Sequence, residues 1–423
     1  MPGLTYLSGR RPGDDTSAGL PVRGDATDGA DAAGIVNAGP TEGDSMKTND
    51  MQVSGLEGVV AAHTALSGVD GEAGELTIAG FPLEELAPNA SFEEVIFLLW
   101  NGRLPDAAEL ATLRASLGVQ RALPEITLHL LRELAPLRLP TMDALRIAAG
   151  TLGIDAGEDG PMGEALAIAA RFPTIVAAYW RLINGEEPVA PRHDLGHAAD
   201  YLRMLSGTEP DASRVRALET YLNTVVDHGL NASTFTARII TSTDSDLVST
   251  VVGAVGALKG PLHGGAPGPA LDMVFEIGSA DRAESYLREK LARGERLMGF
   301  GHRVYKVRDP RADVLAEAAE RLFRDGGDMA LYELAKHVER TALELLEEAK
   351  PGRRLQTNVE FYTALLLHGL GLPADLFTPT FAVGRVVGWI AHAFEQRRTG
   401  RLIRPQSVYT GRNDMRWIST ASR

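Results

Sequence analysis

The chain contains no cysteine. That excludes disulfides, thiolate zinc sites and a cysteine nucleophile together, and it fits a reducing, cytoplasmic location. No apolar run is long enough to span a bilayer. The longest, residues 361–394, is interrupted by His368, Pro373, Asp375 and Arg385. Near residue 1 there is no basic segment followed by an apolar one, so neither a signal peptide nor a membrane association is expected. Positive charge is scarce: 42 Lys and Arg stand against 56 Asp and Glu, a net charge of -14. A nucleic-acid partner, which needs a broad basic face, is therefore not expected. An anionic ligand needs a local cationic site that overcomes the average field.

Several cofactor signatures are missing too. There is no Walker A loop and no HExxH. Gly299-Phe300-Gly301 lacks the third glycine of a dinucleotide fingerprint and has no βαβ pattern around it. His193 and His197 have the i,i+4 spacing of a shared metal. With no third ligand nearby, an exposed helix start is the better reading and no metal is expected. Fixed-period repeats and heptads are also absent.

What is present is a long chain of 423 residues with 44% hydrophobic and 23% charged residues. That is ordinary for a globular protein and long enough for two or three domains. Residues 1–50 are rich in Gly, Asp, Ser, Thr and Pro and are read as a flexible tail, since they carry too little apolar surface to offset ordering. From there the pattern is helical, with one hairpin over 68–81 marked by glycines and the Leu76/Ile78 alternation. Ser91-Phe92-Glu93-Glu94 reads as a capping box before the run VIFLLW, which Asn101-Gly102 stops. Helices are expected near 106–117, 141–152, 163–184, 194–206, 211–227, 232–242 and 246–258, with Pro173 kinking or splitting the third. Leu331–Lys350 places Val338, Ala342, Leu345 and Leu346 on one face. The segments VEFYTALLLHGL and TFAVGRVVGWIAHAFEQ are apolar nearly all round and read as buried helices. The fold class is all-α with a minor hairpin.

Three places carry chemistry. Gly260-Pro261-Leu262-His263-Gly264-Gly265 surrounds a histidine with glycines, which permits close ligand approach or simply stops a helix. Met298-Gly299-Phe300-Gly301-His302 leads into Arg303, Lys306, Arg308 and Arg311, either a solvated basic loop or an anion site. Asn358-Val359-Glu360 places an N-cap before a first-turn acid. That acid is either a partner of the helix dipole or a carboxylate held ionised as a general base.

These segments, in this order, resemble the citrate synthase family. The resemblance runs from about Gly55 to Gly411 through GLEGVVAAHTALSGVDG, DHGLNASTFTAR, LKGPLHGGAP, GFGHRVYKVRDPR, NVEFYTALLLHGLGLP and FAVGRVVGWIAHAFEQ with RLIRP. It implies a large helical domain (51–264 and 364–423) and a smaller one (265–363) that closes over the substrates. It implies a Si-type acyltransferase condensing acetyl-CoA with oxaloacetate, as a homodimer with no metal or redox cofactor. By motif position, His263 stabilises the enolate oxygen, His302 polarises the oxaloacetate ketone and Glu360 is the base. The family usually has aspartate at that last position. His228, Arg311, Arg385 and Arg404 match the oxaloacetate ligands, Arg404 serving the neighbouring subunit. Leu297, Gly299, Gly301, Arg303, Lys306 and Arg308 match the coenzyme A contacts. The alternatives are a 2-methylcitrate synthase using propionyl-CoA and a non-catalytic protein that binds CoA esters.

Overall fold

The computed structural model describes residues 54–56, 58–154, 160–264, 267–302 and 304–422. The expected tail, Arg303 and Gly265 lie outside the described residues. The chain divides after Val59. Ahead of that point the described residues hold one short turn, Ser54–Leu56, closed by the Val59 N–H on the Leu56 carbonyl at 3.0 Å. Everything else described belongs to the unit from Val60 onward.

That unit is helical apart from a small antiparallel sheet ordered β1 (Ser67–Asp70), β2 (Glu75–Ile78), β3 (Phe81–Pro82). The expected hairpin thus has a third strand. Ala79 and Gly80 both have positive φ, the signature of a two-residue I′ turn, and they fold Phe81 back onto Ile78. Sixteen helices follow among the described residues. They are α1 (Leu83–Leu86), α2 (Phe92–Asn101), α3 (Ala107–Gln120), α4 (Glu125–Leu134), α5 (Thr141–Ala149), α6 (Gly160–Ile183), α7 (His197–Ser206) and α8 (Ala212–Val225). The chain continues through α9 (Ala232–Thr241), α10 (Leu247–Leu258), α11 (Pro267–Ile277), α12 (Ala280–Ala292), α13 (Pro310–Arg324), α14 (Met329–Ala349), α15 (Val359–Gly369) and α16 (Phe377–Thr399).

Local chemistry sets many of the boundaries. Ser91 accepts from the Glu94 N–H while Glu94 accepts from the Ser91 N–H at 2.7 Å, and Gly102 ends α2 in the left-handed region. Asp106, Asp211, Asn231, Asp246 and Asn358 cap α3, α8, α9, α10 and α15 with their side chains. Pro173 does not split α6, which runs unbroken through it. That helix is buried nearly all round, and packing outweighs one missing backbone bond. By length and composition α6 is also apolar enough to cross a membrane, but 72% of its most apolar window is buried inside the molecule. It is a core helix.

The core centres on α16, which packs against α2, α6, α8, α9 and α10. Its two glycines allow that approach. A Cβ at Gly384 would stand 2.9 Å from Val225, and one at Gly388 only 2.1 Å from the Val226 carbonyl oxygen. The polypeptide between α8 and α9 is thereby pressed directly against α16. The β1–β2 turn makes a second close approach. The Gly71 carbonyl accepts the Lys306 N–H at 2.8 Å, and a Cβ there would stand 2.4 Å from the Val304 carbonyl oxygen.

Candidate active site

Five elements bring their ends together. The α8–α9 connection carries His228, the turn after α10 carries His263, and the loop before α13 carries His302. Arg311 lies in the first turn of α13, and Glu360 in the first turn of α15. Arg385 projects from the middle of α16.

His302 is the best defined. Its Nδ1 accepts two backbone N–H groups, from Val304 at 3.0 Å and Tyr305 at 3.1 Å. The proton of the neutral ring is therefore on Nε2. Burial and the neighbouring Arg311 charge hold its pKa at about 4, so the ring is neutral at physiological pH. The Nε2 atom lies 3.3 Å from Arg311 Nη2. Two donors thus converge on one place where a carbonyl or carboxylate oxygen can accept from both. His228 stands against the same ring, centroids 5.9 Å apart, and its Nε2 meets the Tyr305 hydroxyl at 3.1 Å. Burial, then Arg311 and Arg385, push the His228 pKa well below the usual histidine range.

His263 is fixed by a residue of α9. Its Nε2 lies 2.8 Å from Ser233 Oγ, which also accepts the Trp389 indole N–H at 3.1 Å. The Ser233 hydroxyl has one proton and two acceptors within reach, His263 Nε2 and Asn231 Oδ1 at 2.8 Å. Asn231 already accepts the Thr234 N–H. Ser233 donates either to Asn231 Oδ1 or to Nε2, and in the second arrangement the imidazole proton sits on Nδ1, leaving Nδ1–H available as a donor. Burial and Arg385 lower the His263 pKa to about 4.

The charged residues are held differently. Arg311, buried, is clamped by Asp309: Nε donates to Oδ1 at 3.0 Å and Nη2 to Oδ2 at 2.8 Å. Asp309 also accepts the Val359 N–H at 3.2 Å, tying α13 to the start of α15. Arg385 is buried, donates Nε to the Val225 carbonyl at 2.6 Å, and lies 4.6 Å over the Phe381 ring. Among the described ion pairs no carboxylate joins it. Burial lowers its pKa to about 10 against the field of Asp227. A buried cation without an ion-pair partner is costly, and an anionic ligand would relieve that cost. Glu360 has its backbone N–H on the Asn358 cap at 3.0 Å. Burial raises its carboxyl pKa, with Arg311 opposing and Asp309 reinforcing the shift.

The arrangement offers donors for two developing oxyanions, cations for carboxylates and a half-buried carboxylate, Glu360, able to take a proton. A family model described as "Citrate synthase, C-terminal domain" matches residues 55–406. "Citrate synthase 2" of Bacillus subtilis is 42% identical over 375 residues, covering 87% of this chain and 98% of that protein. A "2-methylcitrate synthase" of Mycobacterium tuberculosis is 40% identical over 364 residues, covering 84% and 90%. The solved citrate synthase of Thermoplasma acidophilum, in a ternary complex with carboxymethyl coenzyme A and oxaloacetate, superposes with a TM-score of 0.79 at 29% identity. It covers 87% of this chain and 98% of that one. The chain belongs to the citrate synthase family.

In this member of the family, not every anticipated residue joins the cluster. Arg404 lies exposed in the segment after α16. Arg308 is bound to Asp313 at 2.5 Å and Glu339 at 2.6 Å. Lys306 is exposed on the same loop. Leu297 is buried, and Gly299 and Gly301 both have positive φ. Their polar backbone is engaged with 356–358: the Gly301 N–H donates to Gln356 at 2.7 Å and the Gly299 carbonyl accepts from Asn358 at 2.9 Å. His197, expected at an exposed helix start, is instead fully buried under Phe92. Its backbone N–H donates to Glu93, and α7 begins inside the molecule. Among the described residues there is no cluster of three or more metal-ligating side chains.

Sequence reasoning missed Ser233, Tyr305, Asp309 and a network behind His228. There, buried His392 bridges Arg238, 2.9 Å from its Nδ1, and Asp227, 3.1 Å from its Nε2. Asp227 also accepts from Ser67 of β1. Asp309, placed directly before Pro310, had a readable N-cap signal. The network had none, because its members are far apart in sequence.

Proposed function

We propose that this chain is a citrate synthase that condenses acetyl-CoA with oxaloacetate and water to give citrate and CoA, with Glu360, His263 and His302 as its catalytic residues. Glu360 takes a methyl proton from acetyl-CoA while His263 Nδ1–H supports the enolate oxygen, a contact aimed at developing charge. His302 Nε2–H polarises the oxaloacetate ketone. The enolate carbon then bonds to the ketone carbon and the resulting alkoxide takes a proton. Water finally hydrolyses the thioester and CoA leaves as the thiol. Each step is a proton transfer or a carbonyl addition, so the proposal uses no metal or redox cofactor.

The observation that carries the reading is the facing pair of donors, His302 Nε2 and Arg311 Nη2, at 3.3 Å beside the buried Arg385, which joins none of the described ion pairs. A keto dicarboxylate fits that set, since arginine suits planar carboxylates. His228 completes it within this chain. We place the phosphates and adenine of coenzyme A along Leu297, Gly299, Gly301, Arg303 and Lys306, with Arg308 at the margin. The segment 265–363 is proposed to close over both substrates.

A homodimer is also proposed. The segment 400–419 has no helix or strand, and Leu402, Val408, Tyr409, Met415, Trp417 and Ile418 are exposed along it. Such an apolar extension fits a second copy of the chain, and Arg404 would enter that copy's site.

Release of free thiol from acetyl-CoA only when oxaloacetate is present tests the activity. Binding without release would reject it. The 2-methylcitrate synthase relative favours a second reading, with propionyl-CoA as substrate. One methylene is worth about 1–3 kcal/mol in a pocket, so kcat/KM for the two acyl-CoAs decides between them.

A further inference from the structure

Glu339, in the middle of α14, belongs to none of the assignments above, yet it is buried at the junction of three segments of the site. Its Oε1 accepts from Arg308 Nη1 at 2.6 Å and from Thr357 Oγ1 at 2.7 Å. Its Oε2 accepts the Tyr362 hydroxyl at 2.5 Å, and Lys336 Nζ lies 3.8 Å away. Thr357 and Tyr362 flank Glu360 on either side, and Arg308 stands in the loop that begins at His302. We propose that Glu339 is a positioning residue that sets where α15 begins, and so places the longer glutamate side chain of Glu360 for proton abstraction. This rests on the reading of Glu360 as the base.

The geometry supports this in two ways. First, the turn that carries Glu360 is held on both sides by a single carboxylate. The Thr357 hydroxyl precedes the N-cap and the Tyr362 hydroxyl lies within the helix. A rotation or slide of the turn lengthens one of the two bonds. Second, the remaining ties on this turn lead to the His302 loop and α13. Asn358 Nδ2 donates to the Gly301 carbonyl at 2.9 Å and the Val359 N–H donates to Asp309. Arg308 completes the circuit from that loop back to Glu339. The base and the carbonyl-polarising histidine are thus fixed to one frame. Burial alone would raise the Glu339 pKa, but Tyr362, Thr357 and Arg308 together hold it below the usual carboxylate range, so the carboxylate stays charged. Misplacement of a reacting group by about 1 Å costs around a hundredfold in rate. A glutamate carboxylate sits two methylenes from the backbone, so the start of its helix must be fixed closely. Arg308, expected at phosphates, becomes part of this frame.

The test compares Glu339→Gln, Tyr362→Phe and Glu360→Gln in the full-length protein. The readouts are kcat, KM for each substrate, the pH profile of kcat and the melting temperature. Tyr362→Phe removes one hydroxyl and keeps the ring, so it remains informative if Glu339→Gln fails to fold. We expect kcat to fall roughly tenfold or more in both positioning variants. KM for oxaloacetate should stay within about threefold, because its ligands are untouched. The midpoint of the acid limb should stay in place while its plateau drops, which a loss of folded protein corrected for active concentration would not produce. The proposal is overturned if Tyr362→Phe keeps wild-type kcat while Glu360→Gln is inactive. It is also overturned if Glu339→Gln changes only KM for acetyl-CoA, since Arg308 would then serve the phosphates. If Glu360→Gln itself keeps turnover, the reading of the base fails, independently of the positioning role.

Discussion

At the residue scale, the ionised carboxylate proposed as the base, Glu360, carries a stability cost. Its folded pKa lies above the ordinary 4.5, so between those two values the native state binds the proton more tightly than the unfolded chain. Stability is therefore highest below that window and is lost as pH rises through it. Glu360→Gln should reduce turnover by roughly a hundredfold or more. It should also melt at a higher temperature than the wild type at pH 8, with the difference vanishing near pH 4. Calorimetry at the two pH values checks this, and a lower melting temperature at pH 8 would contradict it. Arg311 of α13 and Lys306 of the loop before it separate by substrate. Arg311→Ala removes a buried, clamped guanidinium and should raise KM for oxaloacetate at least roughly tenfold, consistent with about 1.5–3 kcal/mol for charged hydrogen bonds. Lys306→Ala should act mainly on KM for acetyl-CoA. Steady-state kinetics with each substrate varied would reject the assignment if both variants weakened both substrates alike.

At the scale of elements, α16 is placed by its glycines. A Cβ at Gly388 meets the Val226 carbonyl at 2.1 Å, a contact that no rotamer can avoid. Gly388→Ala should destabilise by about 1–3 kcal/mol in urea unfolding. It should also raise KM for oxaloacetate, because the displaced backbone leads to His228. Unchanged stability would mean that α16 shifts freely. The same scale shows what the sequence could and could not reveal. Segments with caps and period, such as α2 between Ser91 and Gly102, are legible within a residue or two. So are α9 and α10, whose Asn231 and Asp246 caps stand in plain view. The third strand is harder to see, because Ala79 is not a residue that advertises positive φ. Pro173 misleads because a local rule competes with burial on every side of α6. His263, His302 and Glu360 stand out as candidates because each sits beside its own glycine or cap signal. Ser233, Glu339, Asp227 and His392 are not, since their roles come from partners across the fold. Arg308 shows the same limit from the other side: charge in a loop announces itself, while one of the two acids it pairs with, Glu339, is 31 residues away on another helix.

At the scale of the whole molecule, the exposed segment after Thr399 sets a clear expectation. A chain ending at Thr399 should run as a monomer on size exclusion with light scattering, while the full chain runs as a dimer. Mixing that truncated chain with a full-length Glu360→Gln protein would restore activity only if hybrid dimers form and Arg404 serves across the interface. A fully active truncated monomer would reject both ideas. A different consequence follows from the earliest strand. The Ala65 N–H is bonded to Glu395 Oε1 at 2.9 Å, across 330 positions of sequence. Ser67, two residues on, reaches Asp227 beside His228. Chain closure over such separations is slow compared with helix formation. The Ala65–Glu395 bond cannot form until nearly the whole chain has left the ribosome, and the pocket beside Asp227 is expected to form late in folding. Recovery of helical circular dichroism should run ahead of recovery of thiol release when the denatured protein is diluted into buffer.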